Sequence, residues 1–327
     1  MTMLDLSVVI VSFNTGPMTL ACLGSLFEWT RGVEFEVFVV DNGSRDGSPQ
    51  MIRHAFPQVI LIEQQSNVGF ARACNAALVR ARGRYIMLLN SDTLLIEDAL
   101  TALVHALDAH PQVGAVGPRM IYADGQTQSY SATRAKTLWR TLAQYCIPRR
   151  GTGTLHLGPR LNSKPSATSP VLYETESISG AAMMIRREIL HTVGLLDERF
   201  FLYCEDADWV ERIRHAGYVI ACAPDVRLIH HHGASSRQDE IRREVEAVRS
   251  NIRYFAKHSG KGSVVFFRVA VAAIMCLRMV TLDLFRALTG TNPTRLRRDW
   301  EVFRQALTFG PNAPEARDRH SQSCESS

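Results

Sequence analysis

LSVVIVSF, residues 6–13, is a continuous apolar run rich in β-branched side chains. Such a run reads as a parallel strand buried on both faces. The pattern then alternates. A helix is expected from about 17 to 29, a second strand in FEVFVVD (35–41), and a short helix over 46–55. VILIEQ (59–64) is the third strand, followed by a helix over 70–81 and the strand RYIMLLN (84–90). A helix over 97–109 and the strand VGAVGPRMIY (113–122) complete the series. Strands alternating with helices imply βαβ units: an α/β fold with a mostly parallel open sheet flanked by helices. Ligands in such sheets bind beyond the carboxyl ends of the strands. Three of those ends carry polar residues: SFN (12–14), DNGSRDGS (41–48) and NSDT (90–93).

From about 126 to 170 the pattern weakens to Gly, Pro, Ser and Thr, with one helical patch over 138–145. In a compact enzyme such an excursion commonly serves as a mobile substrate loop. SISGAAMMIRREIL (177–190) reads as a strand running into a helix, and YVIACAP (218–224) and VRLIHHHGASS (226–236) as extended segments. A charged helix follows over 238–258. The apolar stretch 264–288 is interrupted by Arg268, Arg278 and Asp283. A membrane span needs about 20 apolar residues. The interruptions favour an amphipathic helix lying on a membrane, or one packed on the main domain or a sister subunit. The polar tail, 311–327, reads as disordered. The expected division is 1–240, with a nucleotide-binding half to about 125 and an acceptor half over 126–240, then a helical basic region over 241–310.

The 327 residues are 46% hydrophobic and 21% charged, with a formal net charge of +5. Those are globular values. Seven arginines between 263 and 311 face only Asp283, Asp299 and Glu301, which suits an anionic surface such as a membrane or polyphosphate. Nothing in the pattern calls for nucleic acid. Seven cysteines without a CxxC pair suit a reducing compartment, and the N-terminal apolar region carries Asp5 and no secretory pattern, so a cytoplasmic protein is expected.

FFLYCEDADWVERIRHAGY (200–218) carries the densest chemistry. Trp209, Ile213 and Ala216 fall at helical spacing with Gly217 as a stop, so Glu205, Asp206 and Asp208 occupy the first turn. Acids there cap a helix favourably. A carboxylate beside the apolar run Phe200–Tyr203 also suits a general base. Asp41 ends a strand at a Gly turn and reads as a turn residue or as an acceptor for ribose or base. Asn67 and Gly69 open a helix that presents Arg72 and Asn75, a cap or an anion site. Asp92, after Asn90 and Ser91, reads as a helix N-cap or as an oxygen ligand for a hard cation. His230 and His232 share one side of an extended segment, as a solvated run or as metal or diphosphate ligands.

Together, VVIVSFN, VVDNGSRDGS, NVGFARACN, LLNSDT, SGAAMMIRRE, GLLDERFFLYCEDADW and HHHGASS resemble the successive motifs of family 2 inverting glycosyltransferases with the GT-A fold, in the rhamnosyltransferase-like branch. The resemblance covers about 6–240. It implies that Asp41 binds the base or ribose, with Ser12 and Asn14 lining the same pocket. Arg72 and Asn75 would lie near the nucleotide sugar, as would Asn67, Gly69, Asn90 and Ser91. Asp92 matches the last acid of the metal motif and His230 the histidine near the diphosphate, for a Mg2+ or Mn2+ cofactor. Asn90 stands where many relatives carry Asp, so the nucleotide would supply more of the oxygens. Asp206 matches the catalytic base, with Glu205 and Asp208 supporting it. The implied donor is dTDP-L-rhamnose or a UDP-sugar, and the implied acceptor a polyprenyl-diphosphate-linked saccharide or polysaccharide. Action would be peripheral, on the cytoplasmic face of the inner membrane. A homodimer is compatible with the pattern, as is a non-catalytic subunit keeping the fold. SFNTGP after the first strand, in place of GxGxxG, argues against a dinucleotide-dependent dehydrogenase.

Overall fold

In the computed structural model, residues 4–146, 154–161, 169–231, 240–289 and 293–312 are described. The first run forms strand β1 (Leu6–Ser12), nearly all of it buried. It lies between two parallel neighbours, β2 (Phe35–Asp41) and β4 (Tyr85–Asn90). β3 (Ile60–Glu63) extends the sheet beyond β2. On the other side β10 (Ala182–Arg186) runs antiparallel to both β4 and β6 (Val113–Ile121). β11 (Val219–His230) is parallel to β6, and β5 (Thr93–Leu95) and β8 (Tyr173–Glu174) pair antiparallel with β11. The full order is β3-β2-β1-β4-β10-β6-β11-β5, with β8 beside β11. The two segments read separately at 218–224 and 226–230 form one strand, interrupted by an irregularity between Ala223 and Arg227. Pro224 has no N–H to give the ladder, so a break in register there is expected.

Helices cover both faces. α1 (Gly16–Trp29), α2 (Ser48–Ala55) and α4 (Ala99–Ala109) bury Leu23, Leu26, Ile52 and Leu103 with the inward residues of one face, among them Val8 and Ile10. α3 (Phe70–Leu78), α6 (Ile189–Thr192) and α7 (Glu205–His215) bury Leu78, Ile189, Trp209 and Ile213 against Val9, Phe38 and Val40 on the other. This is the α/β architecture expected from the alternation, with the antiparallel β10 inserted into it.

The weakly patterned excursion contains β7 (Ala132–Thr133), which pairs antiparallel with β9 (Ser177–Ile178), and α5 (Leu138–Cys146). Its residues 147–153 and 162–168 lie outside the described residues. The C-terminal region forms α8 (Glu240–His258), α9 (Gly260–Thr289) and α10 (Pro293–Thr308). They share a third core, in which Val248, Ile252 and Phe255 of α8 meet Phe267, Val271 and Met275 of α9, Val302 of α10, Leu142 of α5 and Phe200. By length and composition Gly260–Thr281 is sufficient to cross a membrane, and among the described residues it is the one such helix. Lys261, Arg268 and Arg278 lie within this continuous helix.

Candidate functional site

The carboxyl ends of β2, β1 and β4 lie side by side. Register pairs Ser12 with Asp41 and Val11 with Asn90, so Asp41 and Asn90 stand about two strand spacings apart, or about 10 Å. Asp41 is 2% exposed. Its Oδ2 accepts the backbone N–H groups of Gly43 (3.2 Å) and Ser44 (2.9 Å). Its Oδ1 is buried with no hydrogen-bond partner among the described residues. A buried carboxylate oxygen without a donor is costly unless a ligand supplies one. Hydroxyl or base N–H groups of a nucleoside are suitable donors.

Around it, the loops are tied together. Asn14, at φ +52°, donates its backbone N–H to Ser44 Oγ (2.8 Å) and accepts from Arg45 N–H (2.8 Å). Asn42 donates to Asn67 Oδ1 (3.0 Å) and accepts from Val68 N–H (3.0 Å), while Asn67 also accepts from Gly69 N–H (3.0 Å). Ser12 is fully buried, and its hydroxyl shares hydrogen bonds with Thr19 (3.0 Å) and Thr15 (3.3 Å). Thr15 in turn reaches Ser91 Oγ at 3.2 Å. Ser12, Asn67 and Ser91 thus brace the loops at these strand ends from within.

Asn75 also braces. Its amide donates to Leu196 O (2.9 Å) and Glu198 Oε1 (3.1 Å), and its Oδ1 accepts from Leu196 N–H (3.1 Å). Asn75 thus clamps α3 to the segment before α7. Arg72 stays largely exposed, 3.8 Å from Glu198. Gly69, at φ +85°, opens α3, and a Cβ there would sit 2.7 Å from Phe201 O. Phe201 O accepts from Phe70 N–H at 2.8 Å. The α3 N-terminus is therefore joined to the loop before the acidic helix.

That loop is strained. Tyr203 and Cys204 both have positive φ (69° and 67°), a left-handed pair that costs on the order of 1 kcal/mol per residue. α8 holds it in place: Ser250 donates to Leu202 O (2.8 Å), and Cys204 contacts Asn251 Oδ1 (3.6 Å). Trp209, fully buried, donates to Gly194 O at 2.9 Å and fixes α7 from below. The strained turn delivers three acids to three different environments. Asp206 Oδ2 accepts Gly180 N–H at 3.0 Å, and its Oδ1 accepts Ala207 N–H at 2.7 Å. Gly180 allows this approach, since a Cβ there would lie 3.0 Å from Asp206 Cβ. Ala181 O accepts Asn90 N–H at 2.9 Å, which brings Asp206 to the end of β4. Glu205 is buried, with Oε2 unpartnered among the described residues. Burial, and then the charge of Asp206, push its carboxyl well above the usual carboxylate range. Asp208 has no exposed side-chain area and binds Arg212, Lys257 and His258. Burial opposes its ionisation, but the bonds from His258 and Lys257, with Arg212, hold its carboxyl below the usual range.

At the end of β11, His230 is 3% exposed. Its Nε2 lies 3.2 Å from Asp92 Oδ1 and 3.5 Å from Asn90 Nδ2. Gln128 Nε2 donates to His230 O (2.6 Å), which turns Gln128 Oε1 to His230 Nδ1 at 3.0 Å. Nδ1 then carries the proton, and Nε2 is presented beside Asp92. Gln128 was not foreseen, because it lies 102 residues from His230 in a segment without periodicity. His232 lies outside the described residues. Among the described residues no group of three or more His, Cys, Asp or Glu stands together for a metal. The donor set is therefore an imidazole oriented by a second partner and one buried carboxylate. It fits a divalent ion that takes its remaining oxygens from a nucleotide diphosphate, and it does not make an all-protein cage.

A family model, glycosyl transferase family 2, matches residues 7–194, more than half of the chain. An N-acetylglucosaminyl-diphospho-decaprenol L-rhamnosyltransferase of Mycobacterium tuberculosis is 28% identical over 276 residues, covering 78% of this chain and 85% of the relative. A mannosyltransferase of Pyrobaculum calidifontis, solved with GDP-Man and Mn2+, superposes with a TM-score of 0.54 at 19% identity, over 93% of this chain and 86% of that one. GalNAc-T7, solved with UDP, GalNAc and Mn2+, superposes with a TM-score of 0.55 at 17% identity, over 78% and 48%. These structural likenesses are of fold.

Proposed function

Because the chain belongs to glycosyl transferase family 2 and is a glycosyltransferase with a GT-A fold, we propose that it transfers a hexose with inversion from a nucleotide-sugar donor to a lipid-linked saccharide in cell-surface glycan synthesis. L-rhamnose from dTDP-L-rhamnose is the proposed donor, in line with the rhamnosyltransferase relative. The observation that carries the reading is Asp206, a carboxylate fixed by Gly180 N–H on a strained turn at the open end of the sheet.

Asp41 Oδ1 receives a donor from the nucleoside, while Asn14 and the 42–47 loop shape that pocket. Asp206 accepts the proton of the acceptor hydroxyl as its oxygen attacks the anomeric carbon opposite the leaving nucleoside diphosphate. Burial and the charge of Asp206 favour the neutral form of Glu205, which limits negative charge beside Asp206, and Asp208 anchors the turn. Asp92 and His230, with Asn90, would hold the divalent ion, which when bound offsets charge on the leaving diphosphate. The exposed apolar side of α9, with its flanking arginines, supports peripheral association with the cytoplasmic face of the inner membrane.

The test is nucleoside diphosphate release from a panel of dTDP-, UDP- and GDP-sugars, with and without Mn2+ or Mg2+. Acceptor-stimulated release from dTDP-L-rhamnose is expected. Release confined to another donor would reassign the sugar, and none from any donor would remove the reading.

A further inference from the structure

Between the catalytic turn and the C-terminal helices runs a segment with an uneven charge. Arg134, Lys136 and Arg140 lie within seven residues after β7, and His156 lies against them, with Arg134 Nε donating to His156 Nδ1 at 3.3 Å. Glu176 answers these bases directly: it accepts Ala135 N–H (2.8 Å) and stands 3.9 Å from Arg140 and 3.5 Å from His156, while Lys136 also lies within the field of buried Glu205. Lys136 sits with its ammonium 5.8 Å above the Tyr254 ring and reaches the Cys204 thiol, next to the acidic turn. Glu176 leads into β9 and so to Gly180, which holds Asp206. Lys136 thus meets Cys204, two residues before Asp206, and Glu176 lies four residues before Gly180.

The other side of the same segment is apolar. Trp139 is 69% exposed, and its ring meets Phe266 edge-on at 5.2 Å. Phe266 belongs to an outer row on α9 with Val265, Val269, Leu277 and Val280, all exposed. The row follows one helical face for about 22 Å. Single exposed apolar residues are ordinary, whereas a row in register with an exposed Trp is a surface made for an apolar medium. The opposite row, Phe267, Val271 and Met275, is buried against the protein.

We propose that Arg134, Lys136 and Arg140 form the seat for the diphosphate of a membrane-held lipid-diphosphate saccharide, and that Trp139 with the outer row of α9 rests on the bilayer holding its lipid. This rests on the proposed function and extends it to the acceptor. The order along the molecule is apolar row, cations, acidic turn. From Lys136 to Trp139 is three residues, at most about 11 Å of chain. A lipid lying under Trp139 places its diphosphate among the cations and its saccharide toward Asp206. Arginine suits the phosphate oxygens in pairs, and lysine supplies a point charge. Charge complementarity favours an anionic membrane over a second copy of this basic chain.

The test uses the full chain and phosphatidylcholine vesicles carrying either a polyprenyl diphosphate or enough phosphatidylglycerol to match its surface charge, with inorganic diphosphate as competitor. The wild type should prefer the polyprenyl diphosphate vesicles, and inorganic diphosphate should erode that preference. The double substitution Lys136→Ala and Arg140→Ala should lower the preference about tenfold. Trp139→Ala should weaken binding to both vesicle types. Nucleotide-sugar affinity should be unchanged in every variant, which also reports folding. Equal binding to the two vesicle types means a generic anionic surface and overturns the seat, as does a preference that survives the double substitution. A wild type that ignores vesicles but forms a dimer broken by Trp139→Ala gives the apolar row to a second copy and also overturns it. The donor panel is independent of these vesicles, so loss of the transfer reading shows there and loss of the acceptor seat shows here.

Discussion

Asp208 Oδ1, in the first turn of α7, accepts a hydrogen bond from His258 Nε2, in the last turn of α8, at 2.7 Å. Lys257 reaches the same oxygen at 2.7 Å, and Arg212 binds Oδ2 at 2.9 Å. A carboxylate two residues from the proposed base thus fixes the C-terminal helices to α7. Asp208→Ala would leave three cationic or basic groups facing one another without their acid. Removing one partner from a buried charge network commonly costs about 3 kcal/mol or more. Urea unfolding should show that loss as a lower midpoint. Cutting the chain after 262 would strip α8 of Phe267, Val271 and Met275, so stability would fall along with any membrane partition.

Much of this was legible in the sequence. Strands β1 to β4 and β6 follow from apolar runs bounded by turn residues, whereas the three-residue β5 is too short to show a pattern, and the Asp208–Arg212 pair fits i,i+4 spacing. What was hidden is long-range. Nothing local marks Gln128 as the partner of His230, or His258 as the partner of Asp208. Ser12 and Asn75 are polar residues at expected site positions, but their hydrogen bonds are used within the protein, which only the fold reveals. Nor did the excursion after 126 announce α5 as a wall shared with α9, because one short helix has too few turns to show which neighbour it will meet.

Glu205 gives a pH dependence of definite sign. Its folded-state pKa is raised above the ordinary 4.5, first by burial and then by Asp206. A raised carboxyl contributes stability below its unfolded pKa and loses it as pH rises. Glu205→Gln keeps the neutral shape without that loss. The variant should be more stable than wild type at pH 7, with the difference vanishing below about 4.5, in urea titrations at several pH values. Asp208 runs oppositely. Its depressed pKa stabilises the fold above the ordinary 3.8 and ceases to do so as pH falls below it.

Asp41→Ala should separate binding from chemistry. One oxygen holds the Gly43–Ser44 turn and the other awaits a ligand donor. A hydrogen bond to a charged group is worth about 1.5–3 kcal/mol. Donor KM should therefore rise about ten- to a hundredfold, with kcat changed little, in steady-state kinetics with acceptor saturating.

For Asp92 and His230, activity should vanish with a chelator and return with Mn2+ or Mg2+. Gln128→Leu removes the acceptor for His230 Nδ1–H. Loss of such an orienting partner typically costs about ten- to a hundredfold in metal affinity. The Mn2+ concentration for half-maximal activity should rise by that factor, and excess Mn2+ should restore the rate.

The most direct test is the turnover of Asp206→Asn with donor and acceptor both saturating, alongside its donor affinity. Asparagine preserves the shape and a hydrogen-bond acceptor for Gly180 N–H but takes no proton from a hydroxyl. Turnover should fall about 10²- to 10⁴-fold while donor affinity stays at the wild-type value. Near-wild-type turnover would contradict the assignment of Asp206 as the base.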